Sequence, residues 1–485
     1  MSARGSPAGG RRWMSLVLLC TGMLMIALDG TIVNVALPSI QSDLGFSQAD
    51  LAWVVNAYVI AFAGLLLLAG RVGDLIGTKR VFVAGLIAFT AASLACGLAR
   101  SSEMLVAARF VQGIGGAMAC SVILAMIVTM FEEPAERAKA MGVFSFTAAA
   151  GGSIGLLLGG ALTQALNWHW IFLINVPAGI AAVILALRLL ESTPGIGLRE
   201  GADALGALLV TASLMLAVYA VVEIPASGGA SPRTLGCGAV AVLLFAAFVA
   251  REATAAKPLL PLRLFRSRNV SGTNALQILI VAGLFGFFFI ECLALRRVRG
   301  YDAVHTGFAF LPITVAIGAL SLGWASVLPA RFGARNVVVT GMALVVAGLA
   351  IFAAAPLDGA YATTMLPATL LIGIGMGAAS PSLMLIAMSS ATASDSGLIS
   401  GLINTTAQAG GAFGLAVLAT VSASRTHDLL AAGIRNDAAL GAGYHLAFAV
   451  AAACLAAATL IAATVLHAPR ASTHGAAAGR SSQAA

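Results

Sequence analysis

The chain has 485 residues, 60% hydrophobic and 9% charged, where a soluble domain carries ~25% charged residues. That composition excludes a soluble globular fold of this length. The formal net charge of +8 does not signal nucleic-acid binding, because the basic residues are spread through the segments between apolar runs. Those runs are about twenty residues long, enough for a helix to cross ~30 Å of hydrocarbon, whereas barrel strands would be half as long and would alternate. The expected fold class is an all-α polytopic membrane protein.

In chain order the predicted spans are 13–37, 51–70, 81–99, 104–130, 140–162, 171–190, 204–223, 235–250, 270–293, 305–328, 337–355, 362–386, 397–421 and 443–466, about fourteen in all. An even number returns both termini to one side. Most Lys and Arg, among them Arg11, Arg12, Arg71, Lys79, Arg80, Arg137, Lys139, Arg263, Arg266 and Arg268, fall on that side. Basic loops stay cytoplasmic, so both termini are expected there. Arg296, Arg297 and Arg299 form the one cluster on the opposite side. Residues 1–12 read as a tail, 13–190 and 269–466 as six-helix halves, 191–268 as a linker with two extra spans, and 467–485 as a disordered tail.

The first span contains Leu28-Asp29-Gly30-Thr31-Ile32-Val33-Asn34-Val35-Ala36-Leu37-Pro38. An ionisable side chain among lipid-compatible ones is costly, and it ordinarily faces a protein interior or an aqueous path. Asp29 is thus either a functional group or a boundary residue beside a turn. At ~1.5 Å per residue, Asp29 stands ~24 Å from the cytoplasmic start of its helix and Arg109 ~8 Å from the opposite surface, at similar depth. The two are expected to share one buried polar network that changes with protonation. The other reading makes Arg109 a structural residue bonded to helix carbonyls.

Glu291 follows Phe287-Phe288-Phe289-Ile290 in the ninth span. It is either a second proton site or ligand for a cationic substrate, or an interfacial carboxylate paired with Arg296 and Arg297. Asn34, Asn56, Tyr58, Gln112, Gln277, Asn404 and Gln408 are uncharged polar residues within spans. They are candidates for a substrate cavity, with helix–helix hydrogen bonding as the alternative for each. Cys20, Cys96, Cys120, Cys237, Cys292 and Cys454 have no paired spacing and read as packing residues. Neither a metal site nor a cofactor is expected.

The chain repeats itself. Gly77-Thr78-Lys79-Arg80-Val81 recurs as Gly333-Ala334-Arg335-Asn336-Val337, and Gly85 is answered by Gly341. Gly113 and Gly115 recur as Gly373 and Gly375, while Gly142, Gly151, Gly152 and Gly155 recur as Gly401, Gly410, Gly411 and Gly414. Two homologous halves with a site between them is a transporter architecture.

With these features in place, the sequence resembles the major facilitator superfamily over roughly residues 13–466, and within it the fourteen-span drug:proton antiporter branch. The Leu28–Pro38 stretch resembles the branch's first-helix signature. Gly70-Arg71-Val72-Gly73-Asp74-Leu75-Ile76-Gly77-Thr78-Lys79-Arg80 resembles the superfamily's loop between helices two and three. Arg109-Phe110-Val111-Gln112-Gly113-Ile114-Gly115-Gly116-Ala117 resembles the fourth-helix motif associated with proton coupling. Trp168-His169-Trp170-Ile171-Phe172-Leu173-Ile174-Asn175-Val176-Pro177 and Pro258-Leu259-Leu260-Pro261-Leu262-Arg263-Leu264-Phe265 are further branch-like stretches. Gly151, Gly152, Gly155, Gly159 and Gly160 resemble the fifth-helix antiporter motif, but Leu156 stands where that motif has proline. His169 stands where the family commonly has arginine, and Ala330 stands opposite Asp74 in the second half.

The resemblance implies export of small lipophilic or cationic compounds, antibiotics included, against inward proton flow. Asp29, Arg109 and Glu291 would serve proton coupling. Gly70, Gly73, Asp74, Gly77, Lys79 and Arg80 would form a conformational lock, Asp74 facing a helix N-terminus of the other half from a cytoplasmic loop. Lys79 and Arg80 would engage acidic neighbours or anionic headgroups. The implied partners are a small-molecule substrate, protons and membrane lipids, with no nucleic acid, and the protein would act as a monomer in a bacterial inner membrane. Leu156 keeps a rival open, a proton-independent facilitator or uptake carrier on the same fold. A membrane-embedded enzyme or sensor is the second rival, and the chain offers no catalytic triad for it.

Overall fold

The computed structural model describes residues 7–46, 50–192, 195, 197, 203–226, 231–255, 258, 262–301, 303–357, 359–389 and 396–466. The first half runs through α1 (Pro7–Leu44), α2 (Trp53–Ile76), α3 (Thr78–Gly97), α4 (Ser102–Met130), α5 (Pro134–Ala165), the short α6 (Trp170–Leu173) and α7 (Asn175–Leu189). A hairpin follows, α8 (Ala204–Ala226) and α9 (Pro232–Thr254). The second half contains α10 (Arg268–Arg297), α11 (Ala303–Gly323), the short α12 (Val327–Phe332), α13 (Ala334–Ala354), α14 (Tyr361–Met388), α15 (Ser396–Ala431) and α16 (Asn436–Val465). Among the described residues twelve helices are long and apolar enough to span a membrane. The bent α5 makes a thirteenth, and the shorter apolar stretch Leu205–Ala220 of α8 stands where a fourteenth was expected. Val17, Leu208, Val242, Leu243 and Leu460 are more than 60% exposed, as side chains facing lipid should be.

Glycine sets how closely these helices approach. Helices in lipid gain little from apolar burial against one another, so small residues that let backbones touch decide the contacts. A Cβ on Gly115 would lie 2.8 Å from the carbonyl oxygen of Gly85 where α3 crosses α4, and one on Gly341 would lie 2.6 Å from that of Gly375 where α13 crosses α14. The repeated glycines of the sequence therefore mark the same crossing twice. The parallel pairs α1–α5 and α10–α15 repeat likewise, as do α2–α4 and α11–α14.

On α5, Gly151, Gly155 and Gly159 form a stripe one turn apart that rests on α1. Their added Cβ atoms would meet Ala27, Leu28 with Thr31, and Ile32. Gly152 has nothing within 4 Å, and Gly160 reaches only Val35 at 3.8 Å. Although Leu156 replaces proline, α5 bends by 43° between Gly152 and Leu157. A Gly-Ser pair is a recognised cause of such a kink, and Gly152-Ser153 supplies one.

The halves meet along two seams. On α5, a Cβ at Gly142 would strike the Ser321 carbonyl and come within 2.6 Å of Ala325, both beyond or at the end of α11. On α15, a Cβ at Gly401 would stand 3.0 Å from the Leu66 carbonyl and 3.5 Å from Gly70 of α2. These two glycines are repeat partners, so each half offers the same position to the other. The α8–α9 hairpin packs along α2 and α15. It is fastened by Arg251 Nε donating to Asp203 Oδ2 at 2.9 Å, and the Gly206 amide donates to Asp203 Oδ1 at 3.0 Å. Burial works against that charge, but the Gly206 amide and the Arg251 guanidinium outweigh it and hold the carboxyl below the usual carboxylate range.

Two expectations change. The first span, expected at 13–37, continues through Pro38 to Leu44, which leaves Asp29 mid-helix and removes the alternative reading of it as a boundary residue beside a turn. Asp74 is not in a loop. It occupies the last turn of α2, buried, and the break before α3 is Gly77 alone, whose φ of 102° suits only glycine.

Gly159→Ala should destabilise the detergent-purified protein by about 1–3 kcal/mol, because α5 must move off the Ile32 backbone. Gly160→Ala, where an added Cβ meets only Val35 at 3.8 Å, should be neutral or stabilise by up to about 1 kcal/mol. Thermal unfolding of the two variants side by side checks the contrast.

Candidate functional site

Asp29 sits on α1 with no exposed surface, and Arg109 on α4 is 1% exposed. Arg109 Nη1 donates to Asp29 Oδ2 at 2.5 Å and to Gln112 Oε1 at 2.8 Å. Gln112 Nε2 donates to Asp29 Oδ1 at 2.7 Å. Each carboxylate oxygen thus accepts from a different donor. The i, i+3 spacing puts Arg109 and Gln112 on one face of α4, so a single helix supplies both. Arg109 Nε donates to the Val54 carbonyl at 2.9 Å, and the guanidinium lies 4.4 Å from the centre of the Tyr58 ring on α2. The ion-pair and carbonyl-bonding readings of Arg109 therefore both describe one side chain.

The network extends further. Gln112 Nε2 lies 3.3 Å from Ser93 Oγ on α3, and Ser93 Oγ donates to the Phe172 carbonyl at 2.9 Å. Asn175 Nδ2, at the start of α7, donates to the same Ser93 oxygen at 3.3 Å. Cys96 Sγ lies 3.5 Å from Gln112 Oε1. One polar cluster therefore ties α1, α2, α3, α4, α6 and α7 together at a single level. The remaining long helix of that half, α5, touches α1 on both sides of Asp29 through its glycine stripe. Ser93 and Asn175 were not singled out from the sequence, and Cys96 read only as a packing residue. Asn175 lay inside a quoted motif, while Ser93 carries no signal that separates it from other small residues in a span.

Other predicted residues are placed as follows. Gln112 is committed to the network, with both ends of its amide in use. Tyr58 is buried and its hydroxyl has no hydrogen-bond partner. Asn56 and Gln277 are half-buried, and Gln408 lies one turn beyond Asn404 on α15. Asn404 crosses the seam, with its Oδ1 3.6 Å from Cys120 Sγ on α4, while its amide nitrogen donates to the Ser400 carbonyl at 3.0 Å. The side chains of Asn34 and Leu156 lie outside the described residues. Glu291 is fully buried and forms no ion pair with Arg296 or Arg297, both of which are exposed. The six cysteines are free.

At the Gly70–Arg80 segment, Lys79 Nζ donates to the carbonyls of Leu190 at 2.6 Å and Leu187 at 3.1 Å. Arg11 Nε donates to Leu189 O at 3.3 Å beside it. Instead of pairing with an acid, Lys79 caps the C-terminus of α7, where a cation meets the negative end of the helix. Arg80 is exposed and turns back to Ile76. Gly73 lets α2 lie against Val122 of α4. Asp74 is one turn past Gly70, the α2 residue that Gly401 of α15 approaches. At the other end, Trp168 Nε1 donates to Asp43 Oδ2 at 2.9 Å, and His169 Nε2 stands 3.7 Å from the same oxygen.

A family model described as Major Facilitator Superfamily matches residues 19–415. The chain is 37% identical over 423 residues to the puromycin resistance protein of Streptomyces alboniger, covering 87% of this chain and 84% of that one. It is 38% identical over 438 residues to the cephamycin export protein of Amycolatopsis lactamdurans, covering 88% and 89%. It is 35% identical over 422 residues to the tetracenomycin C resistance and export protein of Streptomyces glaucescens, covering 87% and 78%. Among solved structures, the human organic anion transporter MFSD10 superposes with a TM-score of 0.64 at 14% identity, over 93% of this chain and 100% of that one, which shows a shared fold.

Arg109→Met should cost about 3–5 kcal/mol of stability, because it strands the Asp29 carboxylate in a sealed site. The double change Asp29→Leu with Arg109→Met should recover most of that loss. Thermal unfolding of both purified variants checks this, and equal losses would deny the coupling.

Proposed function

The chain belongs to the Major Facilitator Superfamily, and on that premise we propose that it exports small lipophilic or cationic compounds, antibiotics among them, in exchange for protons. It is a multi-pass membrane transporter rather than an enzyme. The observation that carries the antiport reading is the sealed Asp29–Arg109–Gln112 network. An ionised Asp29 accepts from two donors at once. A proton on Asp29 removes the counter-charge of Arg109, which keeps the Val54 carbonyl, Gln112 and the Tyr58 face. Protonation therefore changes the bonding of α1 to α4 without emptying the arginine site.

A mechanical route to the seam follows from packing. The α1 helix rests on α5 through Gly151, Gly155 and Gly159, and α5 meets α11 of the second half through Gly142. A shift of α1 on protonation reaches that seam through α5, as residues 13–190 and 269–466 rock about a site between them. Asn404, Gln408, Tyr58 and Cys120, near the α4–α15 seam, are the substrate-facing candidates. Asp74, one turn past the α2 residue that Gly401 of α15 approaches, would favour the closed seam through the helix dipole. The 43° bend in α5 supplies the irregularity that Leu156 had put in question, which weighs against a proton-independent carrier. The bias of basic loops supports cytoplasmic termini in a bacterial inner membrane. The two export proteins among the relatives support the outward direction.

In everted membrane vesicles holding a pH gradient, adding puromycin or ethidium should dissipate the gradient with the wild type and not with Asp29→Asn. Arg109→Lys should keep drug binding and lose the pH dependence of transport. Drug movement that ignores the gradient in all three proteins would overturn antiport.

A further inference from the structure

The second half repeats the backbone of the first but not its charges. The Gly410–Ile278 and Gly414–Ala282 contacts match those of Gly151 with Ala27 and of Gly155 with Leu28 and Thr31. In that register Ile280 takes the place of Asp29. In the register that pairs Gly113 with Gly373, Thr369 takes the place of Arg109. Both replacements are buried, and neither is charged. The carboxyl of this half, Glu291, lies three turns further along α10, roughly 16 Å at ~1.5 Å per residue.

Glu291 has no exposed surface, and neither Oε1 nor Oε2 has a hydrogen-bond partner. Among the described residues it is the only carboxylate in that condition. One turn earlier, Phe287 packs against Phe352 of α13 and Phe448 of α16, and Phe288 packs against Phe310 of α11. Leu295, one turn later, is fully buried. Among the described residues, the titratable and charged groups at that end of α10 are Cys292, Arg296 and Arg297 on its own helix, Arg299 and Tyr301 in the turn that follows, and His305 on α11. Tyr361 begins α14, Arg425, His427 and Asp428 stand near the end of α15, and Arg435, Asp437, Tyr444 and His445 stand at the start of α16. Arg299 donates to Thr364 Oγ1 at 3.4 Å, Tyr361 to the Ala309 carbonyl at 2.7 Å, and a His445 ring nitrogen lies 3.0 Å from the Ala355 carbonyl. None of these groups bonds to Glu291.

A fully buried carboxylate with no protein donor and no counter-charge is not maintained in a protein, and such a group carries a proton instead. We propose that Glu291 is a second proton-binding site, loaded in this conformation and separate from the Asp29 network. Its ligand is the proton rather than a cationic compound, because a carboxyl with no exposed surface admits nothing larger without opening. When α10 shifts against α11 and α14 and water enters, the carboxyl O–H bond breaks, its electron pair stays on the carboxylate, and water takes the proton. The role in transport rests on the antiport reading above, whereas proton binding at Glu291 does not.

Infrared difference spectroscopy of the full-length protein in lipid bilayers, recorded across a pH step, tests the inference. The wild type should show a protonated-carboxyl band that changes across the step. Glu291→Gln should lose that band, Asp29→Asn should keep it, and Glu291→Asp should shift it. A Glu291-dependent band that ignores pH would mean a permanently neutral structural acid, and the absence of any such band would mean an ionised group. Either result overturns the proposal. A pH-responsive Glu291 band in a protein that fails the vesicle test would leave this site standing and remove the antiport reading.

Discussion

A carboxylate shut away from water must be given a counter-charge and hydrogen bonds or lose its own charge, and the first half of this transporter is built to meet that demand at Asp29. Desolvating each ion of a buried pair costs several kcal/mol even after relaxation, so the pair persists only where geometry is good and the remaining donors are satisfied. Here Arg109 and Gln112 divide the two carboxylate oxygens between them, and Val54, Ser93 and the Tyr58 ring take up what is left. The arrangement needs six helices to hold one level, which is why a small polar cluster can position an entire half.

Glycine makes that convergence possible. The α3–α4 crossing at Gly85 and Gly115 brings Ser93 within reach of Gln112, and the α5 stripe lets α1 lie flat on both sides of Asp29. The same crossings recur in the second half at Gly341, Gly375, Gly410 and Gly414. The polar residues do not recur: apolar Ile280 and neutral Thr369 fill the places of the ion pair. The backbone symmetry thus gives the halves similar frameworks, while the ion pair is confined to the first half.

Much of this was legible in the sequence, for definite reasons. An Asp and an Arg inside apolar runs stand out against lipid, and helical rise alone put them at one depth. Repeated glycines located the helix crossings because in lipid small residues decide contacts. Other features had no local signal. Gln112 read as a cavity residue or a helix–helix hydrogen-bonding one because one amide in a span looks like another, and only its i, i+3 relation to Arg109 could have tied it to the network. Asp74 read as a loop residue because glycines flank it, yet Gly77 alone breaks the helix. The bend of α5 was unexpected without proline, since a Gly-Ser pair is a weaker sign. Glu291 read as interfacial or functional, and the interfacial pairing falls away because the carboxyl is fully buried, bonds to neither arginine, and is followed one turn later by the buried Leu295.

The central claim is that Asp29 links proton movement to transport and is not itself the drug ligand. Two fluxes measured on the same proteoliposomes separate these roles, exchange of labelled puromycin against unlabelled puromycin without a gradient, and uphill accumulation driven by a pH gradient. The account predicts that Asp29→Asn keeps exchange and loses accumulation. A variant that still accumulates puromycin uphill, or one that loses exchange and accumulation together while remaining folded, would contradict it.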